Sequence, residues 1–168
     1  MFSDGDLALR PLIPLAEWEG AAALRPAPEA GAQIWVVPEW VEEEFYRLNN
    51  LRFQIERLFA GVWGARVDEE ALARAAERAR ELVRGSYLVA ERAEAFVKTL
   101  PPGGSFLLTR PGGSATQRAA GPLEALWALK RIWADRWKLD EVIARGAAGW
   151  PGPEPVLLER EDVQRQRP

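Results

Sequence analysis

Between residues 72 and 100 the apolar and small side chains fall at Leu72, Ala76, Ala79, Val83, Ser86, Ala90, Ala93, Val97 and Leu100, alternating four and three apart. Only a helix puts such positions on one face, because 3.6 residues complete a turn. Asp68 is a good N-cap for it, with Glu69 and Glu70 opposing the macrodipole in the first turn. The rhythm passes through Gly85-Ser86 without interruption, and one interior glycine costs only about 1 kcal/mol. The expectation is therefore a single helix over 69–100, bent at Gly85 and roughly 48 Å long at about 1.5 Å per residue. Alanines at 76, 79, 90 and 93 leave little apolar area on its seam, so it calls for large side chains from a partner: Phe45, Phe53, Phe59 and Trp63 within the chain, or a second subunit.

The segment "PEWVEEEFYRLNNLRFQIERLFAGV" gives this helix its neighbour. Pro38 suits a helix N1 position, and Val41, Phe45, Leu48, Leu51, Ile55, Phe59 and Val62 recur every three or four residues. Gly61 and Gly64 end the segment, and the short link at 61–67 makes the two helices antiparallel neighbours. A third helix is expected in "GPLEALWALKRIWADRWKLDEVIARG", where apolar residues cover more than one face.

Residues 1–37 carry repeated prolines, which disfavour helix, and the best strand there is "QIWVV". Ala-Leu-Arg-Pro occurs at 8–11 and 23–26 and reads as chance in a chain rich in those residues. The expected fold is mostly α, a long antiparallel helical hairpin with a third Trp-rich helix. A small accessory sheet would draw on 33–37, 105–109, 7–13 and 156–160. The chain divides into a Pro-rich N-terminal arm (1–37), a helical body (38–146) with a Gly-rich insertion at 101–121, and a Pro-rich charged tail (147–168). With 168 residues there is enough chain for one core.

Composition removes most catalytic chemistry. There is no histidine and no cysteine, so histidine bases, thiolate nucleophiles, disulfides and zinc–sulfur sites are all absent. The acidic groups at Glu42–Glu44, Asp68–Glu70 and Asp140–Glu141 lie at helix starts, where the macrodipole accounts for them. No metal, cofactor or catalytic residue is assigned, and the protein is read as not an enzyme. A net charge of −3 gives no general case for nucleic acid or anionic membranes. Arginine far outnumbers lysine and Asn, Gln and Met are scarce, a composition suggesting a thermophile. No run is long and apolar enough to span a membrane, and "MFSDGDLALRP" lacks the basic start of a signal peptide, so a cytoplasmic location is expected.

Two stretches carry candidate sites. "PPGGSFLLTRPGGS" holds Pro-Gly-Gly-Ser twice around a short apolar run. The motif reads as turns; the alternative is an anion site made by the Gly112–Ser114 amides with Arg110, Thr116 and Arg118 at the start of a helix. The other is "KRIWADRWK", in which Lys130, Arg131, Arg136 and Lys138 interleave with Trp133 and Trp137. Such a stretch can be core, a protein interface anchored by tryptophan, or a surface for single-stranded nucleic acid. Trp127, Trp133 and Trp137 on this helix, with Trp18, Trp35 and Trp150 in the Pro- and Gly-rich connections, are the candidate protein-contact residues. Among the eight tryptophans, those in arm-like segments suit latching onto a neighbour. The functional expectation is a non-enzymatic assembly subunit or adaptor, a homo-oligomer or bound to a protein partner, with a virion component compatible. An accessory nucleic-acid-binding protein is the alternative.

Overall fold

A computed structural model describes residues 10–18, 32–111, 115–147 and 149–161. Strand β1 (Ile13–Pro14) runs into a single 3-10 turn at Leu15–Glu17 and is followed by β2 (Ile34–Val37). Helices α1 (Glu39–Leu48), α2 (Leu51–Phe59), α3 (Glu69–Gly85) and α4 (Ala90–Thr99) come next, then the hairpin of β3 (Ser105–Thr109) and β4 (Thr116–Ala120). Helix α5 (Pro122–Ala134), a 3-10 turn at Asp135–Trp137, α6 (Leu139–Arg145) and β5 (Val156–Glu161) complete the described elements.

The strands form one antiparallel sheet in the order β1-β2-β5-β3-β4. Alternation along each strand assigns its two faces. Trp35, Val37, Phe106, Leu108, Val156 and Leu158 turn into the main core with the helices, while Ile34, Val36 and Leu157 form a second cluster under Leu15 and Trp18. Helix α5 lies against β3 and β4, and α3 and α4 pack on α5. Its Ala125, Ala128, Leu129 and Ile132 are buried between these layers. The expectation of a mostly helical fold with a small accessory sheet is thus corrected: this is a mixed α/β fold, in which a five-stranded sheet forms a full layer.

The strands expected at 33–37, 105–109 and 156–160 are present; of 7–13, only Ile13 falls in a strand and residues 7–9 lie outside the described residues. Strand β4 replaces what was read as a loop leading into a helix. Both long helices are also corrected. The segment from Pro38 breaks at Asn49-Asn50, where Asn50 adopts the left-handed conformation (φ 51°), one that asparagine tolerates better than most residues. The other breaks just after Gly85: Ser86 turns extended (ψ 162°) and its hydroxyl donates to the Leu82 carbonyl (2.7 Å).

These two breaks hold each other. The Asn49 side chain donates to the Tyr87 carbonyl (3.0 Å) and accepts from the Tyr87 amide (3.4 Å). Lys130 Nζ reaches across from α5 to the Ser86 carbonyl (3.1 Å). Backbone groups freed by ending α3 are therefore satisfied by other elements, which offsets the cost of interrupting a helix. Elsewhere local signals act as read: Asp68 caps α3 by accepting from the Ala71 amide (3.1 Å), and Pro122 opens α5. Among the described residues no helix is long and apolar enough to cross a membrane.

Candidate functional site

Helix α5 and the turn after it split the sequence "KRIWADRWK" between interior and surface. Trp133 is 1% exposed and packs its ring 4.8 Å from Phe45. Trp137 is buried too, donating from Nε1 to the Tyr46 hydroxyl (2.9 Å). Arg136 is 7% exposed and held by carboxylates, and Lys138 pairs with Asp135 (3.8 Å). Lys130, besides its bond to Ser86, lies 5.4 Å from the Tyr87 ring centre, and burial lowers its pKa. Arg131 is exposed. The basic and aromatic residues therefore do not share one open face.

The surface part of α5 is different. Trp127 is 50% exposed and Leu123, one turn earlier, is exposed as well; Tyr87 in the α3–α4 break is 78% exposed and Val89 is also open. Lys130 and Arg131 follow Trp127 by one turn, on the same side of the helix, and Lys130 touches Tyr87. Trp127 and Leu123 thus make an exposed apolar stripe on α5 beside two cations, one of which also meets the exposed Tyr87.

The other three candidate contact tryptophans sit in three settings. Trp35 is a core residue at an edge-on angle to Phe106 (6.2 Å), and Trp18 is half-buried over the second cluster. Trp150 is half-buried and stands 5.1 Å from Trp137 and 6.1 Å from Tyr46, with the Arg52 guanidinium 4.9 Å over its ring.

The residues proposed for an anion site are not brought together by what is described. Gly103 takes a positive φ (76°) in the first Pro-Gly-Gly-Ser copy, and the Gly104 carbonyl accepts from Gly121 (2.8 Å); the second copy falls in the β3–β4 hairpin connection. That connection joins strand to strand, so no helix N-terminus follows it. Arg110 is buried against Glu154 (3.5 Å), Arg118 pairs with Glu161 across the sheet (3.2 Å), Thr116 is exposed on β4, and Ser114 lies outside the described residues.

A charged cluster that sequence reasoning did not single out lies where α1 meets the 150–154 segment. Glu42 is only 5% exposed. Arg136 donates from Nη1 to Glu42 (3.3 Å) and to the Gly152 carbonyl, and from Nη2 to Glu154 (3.5 Å). The other Glu154 oxygen meets Arg110 Nε (3.5 Å), giving a chain Glu42–Arg136–Glu154–Arg110. Burial raises the Glu42 pKa from 4.5 to about 7, against the pull of Arg136 and Arg110. Tyr46, one turn along, is raised as well, by burial and then by Glu42. Glu42 appears in the sequence as one more acidic residue in a first helical turn; its partner stands 94 residues away, so no local signal reveals it.

Two cavities share Arg52 and Trp150 as a common wall. One, of about 460 Å³, is lined by Glu42, Glu43, Tyr46 and Arg47. The other, of about 260 Å³, is lined by Phe59, Trp63, Trp137 and Arg145. No group of acidic side chains suited to a metal ion occurs among the described residues. No protein-family model matches the chain, and no curated protein matches it, so function has to be read from these residues.

Proposed function

We propose that this chain is a non-enzymatic assembly subunit or adaptor that makes protein contacts through Trp127, Leu123 and Tyr87, with a second copy of itself as partner. The observation that carries the reading is a half-exposed tryptophan one turn from Lys130 and Arg131, with Lys130 in turn meeting the largely exposed Tyr87. Exposed apolar surface rimmed by charge is typical of interaction sites, and Trp, Tyr and Arg are the usual anchors. A cytoplasmic setting belongs to the same proposal.

The nucleic-acid alternative at 130–138 would stack bases on Trp133 and Trp137 beside free cations. Burial of Trp133 and Trp137 and engagement of Arg136 by two carboxylates count against it. Light scattering across a concentration range tests the preferred reading. The mass should exceed the 18.8 kDa of one chain at micromolar concentration, and Trp127→Ala should return it to one chain without altering the circular dichroism. A wild-type mass of one chain, or Trp127→Ala associating like wild type, refutes this surface as the interface. Tight, steeply salt-dependent binding to single-stranded DNA that disappears on removing Lys130, Arg131 and Lys138 would favour the alternative.

A further inference from the structure

The smaller cavity is lined by a cation, Arg145, that has no ion-pair partner among the described residues. Arg145, the last residue of α6, makes no hydrogen bond or ion pair with any described residue, and its Nε and Nη2 are shut off from solvent without an acceptor. Glu141, one turn earlier, attracts it electrostatically but forms no ion pair with it. The guanidinium lies 5.0 Å over the Trp137 ring at the cavity that Arg145 lines, and Nη1 is not among its sealed nitrogens. Burial, with Arg136 nearby, lowers its pKa. A guanidinium cannot lose its proton in practice, so it stays a partly desolvated charge and gains from any anion reaching Nη1.

Four aromatic rings make up part of the lining, beside Ile55, Val142 and the charged Arg52 and Glu56. Phe59 stands 5.7 Å from Trp137 and Trp150 stands 5.1 Å from it on tilted planes, with Trp63 completing the wall. Arg52 is already neutralised by Glu56 (3.0 Å), so Arg145 is the uncompensated charge. Across the shared wall, Glu42 and Glu43 line the larger cavity and would repel an anion there. The volume of about 260 Å³ falls just under the ~300–1,000 Å³ of pockets for drug-sized ligands, which limits the occupant to one ring or two fused rings.

We propose that this cavity binds a small aromatic carboxylate, its ring between Trp63, Trp137 and Trp150 and one carboxylate oxygen on Arg145 Nη1. The site is separate from the Trp127 surface and stands whether or not the protein self-associates. Calorimetric titration of the full chain with benzoate and with indole-3-acetate tests it, using benzamide and indole-3-acetamide as the uncharged counterparts. Each acid should bind at least about ten-fold more tightly than its amide, a difference of about 1.4 kcal/mol. Arg145→Gln should abolish that preference and Arg145→Lys should keep part of it. Equal affinity of acid and amide for the wild-type protein, or no heat with either acid at millimolar concentration, overturns the proposal. That comparison needs no variant, so it decides the matter even if Arg145→Gln fails to fold.

Discussion

Glu42→Gln should remove a specific piece of the pH dependence of stability. Ionising Glu42 in the folded protein is opposed by burial more strongly than it is helped by Arg136, Arg110 and the Glu154 amide, which leaves its pKa at about 7. Below pH 4.5 the group is protonated both folded and unfolded and imposes no penalty. Between pH 4.5 and 7 the unfolded chain has released the proton while the folded protein retains it, so stability falls as pH rises. Above 7 both states are ionised and the loss is complete. The rise from 4.5 to about 7 amounts to roughly 3 kcal/mol at about 1.4 kcal/mol per unit. Glutamine keeps an acceptor for Arg136 but cannot ionise, so the variant lacks this slope. Urea unfolding followed by tryptophan emission at pH 5, 6, 7 and 8 gives the difference between the two proteins, in which the other carboxylates cancel. Relative to Glu42→Gln, the wild type should lose roughly 3 kcal/mol across that range. A flat difference would refute the burial argument. A wild type that gains on the variant as pH rises would show that attraction to Arg136 and Arg110 outweighs desolvation.

Two backbone predictions follow from the helix breaks. Gly85 ends α3 with open space where a Cβ would stand, so Gly85→Ala should add about 0.5–1 kcal/mol, raising Tm in a thermal melt by roughly 2–4 °C; a lower Tm would mean that the turn into Ser86 needs glycine. Asn50 has φ 51°, so Asn50→Ala should cost about 1–2 kcal/mol and Asn50→Gly should unfold in urea close to wild type. Alanine and glycine behaving alike would show that the left-handed turn carries no strain.

Much of the helical content was legible because apolar spacing and caps are local. Asp68, Pro122 and Gly146 stand where their chemistry says they should. The breaks were not legible, since the spacing continues across both and the cause is tertiary: Asn49 seizes Tyr87, and Lys130 takes the Ser86 carbonyl. Strand β4, "TQRAA", escaped notice because an edge strand with an exposed face carries few β-branched or aromatic residues. Among the candidate contact residues, tryptophan identity alone could not separate Trp133, enclosed by two layers, from Trp127, one and a half turns earlier and half open. The Glu42–Arg136 pair and the orphaned Arg145 depend on segments meeting far along the chain, where single-sequence reading has no purchase.

The place of β5 has a consequence for the order in which the protein can be made. The last of the five described strands in chain order occupies the middle of the sheet, pairing with β2 on one side and β3 on the other. Until residues through 161 have left the ribosome, β1-β2 and β3-β4 are two separate ribbons with facing, unpaired edges. Val36, Phe106 and Leu108 then lack the neighbour that covers them. Translation at about 5–20 residues per second leaves that gap open for seconds, a period in which another strand can add to either edge. Closure comes when one strand docks between two waiting edges and forms both ladders. The nascent chain is therefore most vulnerable to misassociation between the emergence of β4 and that of β5, after the helices before β5 have formed.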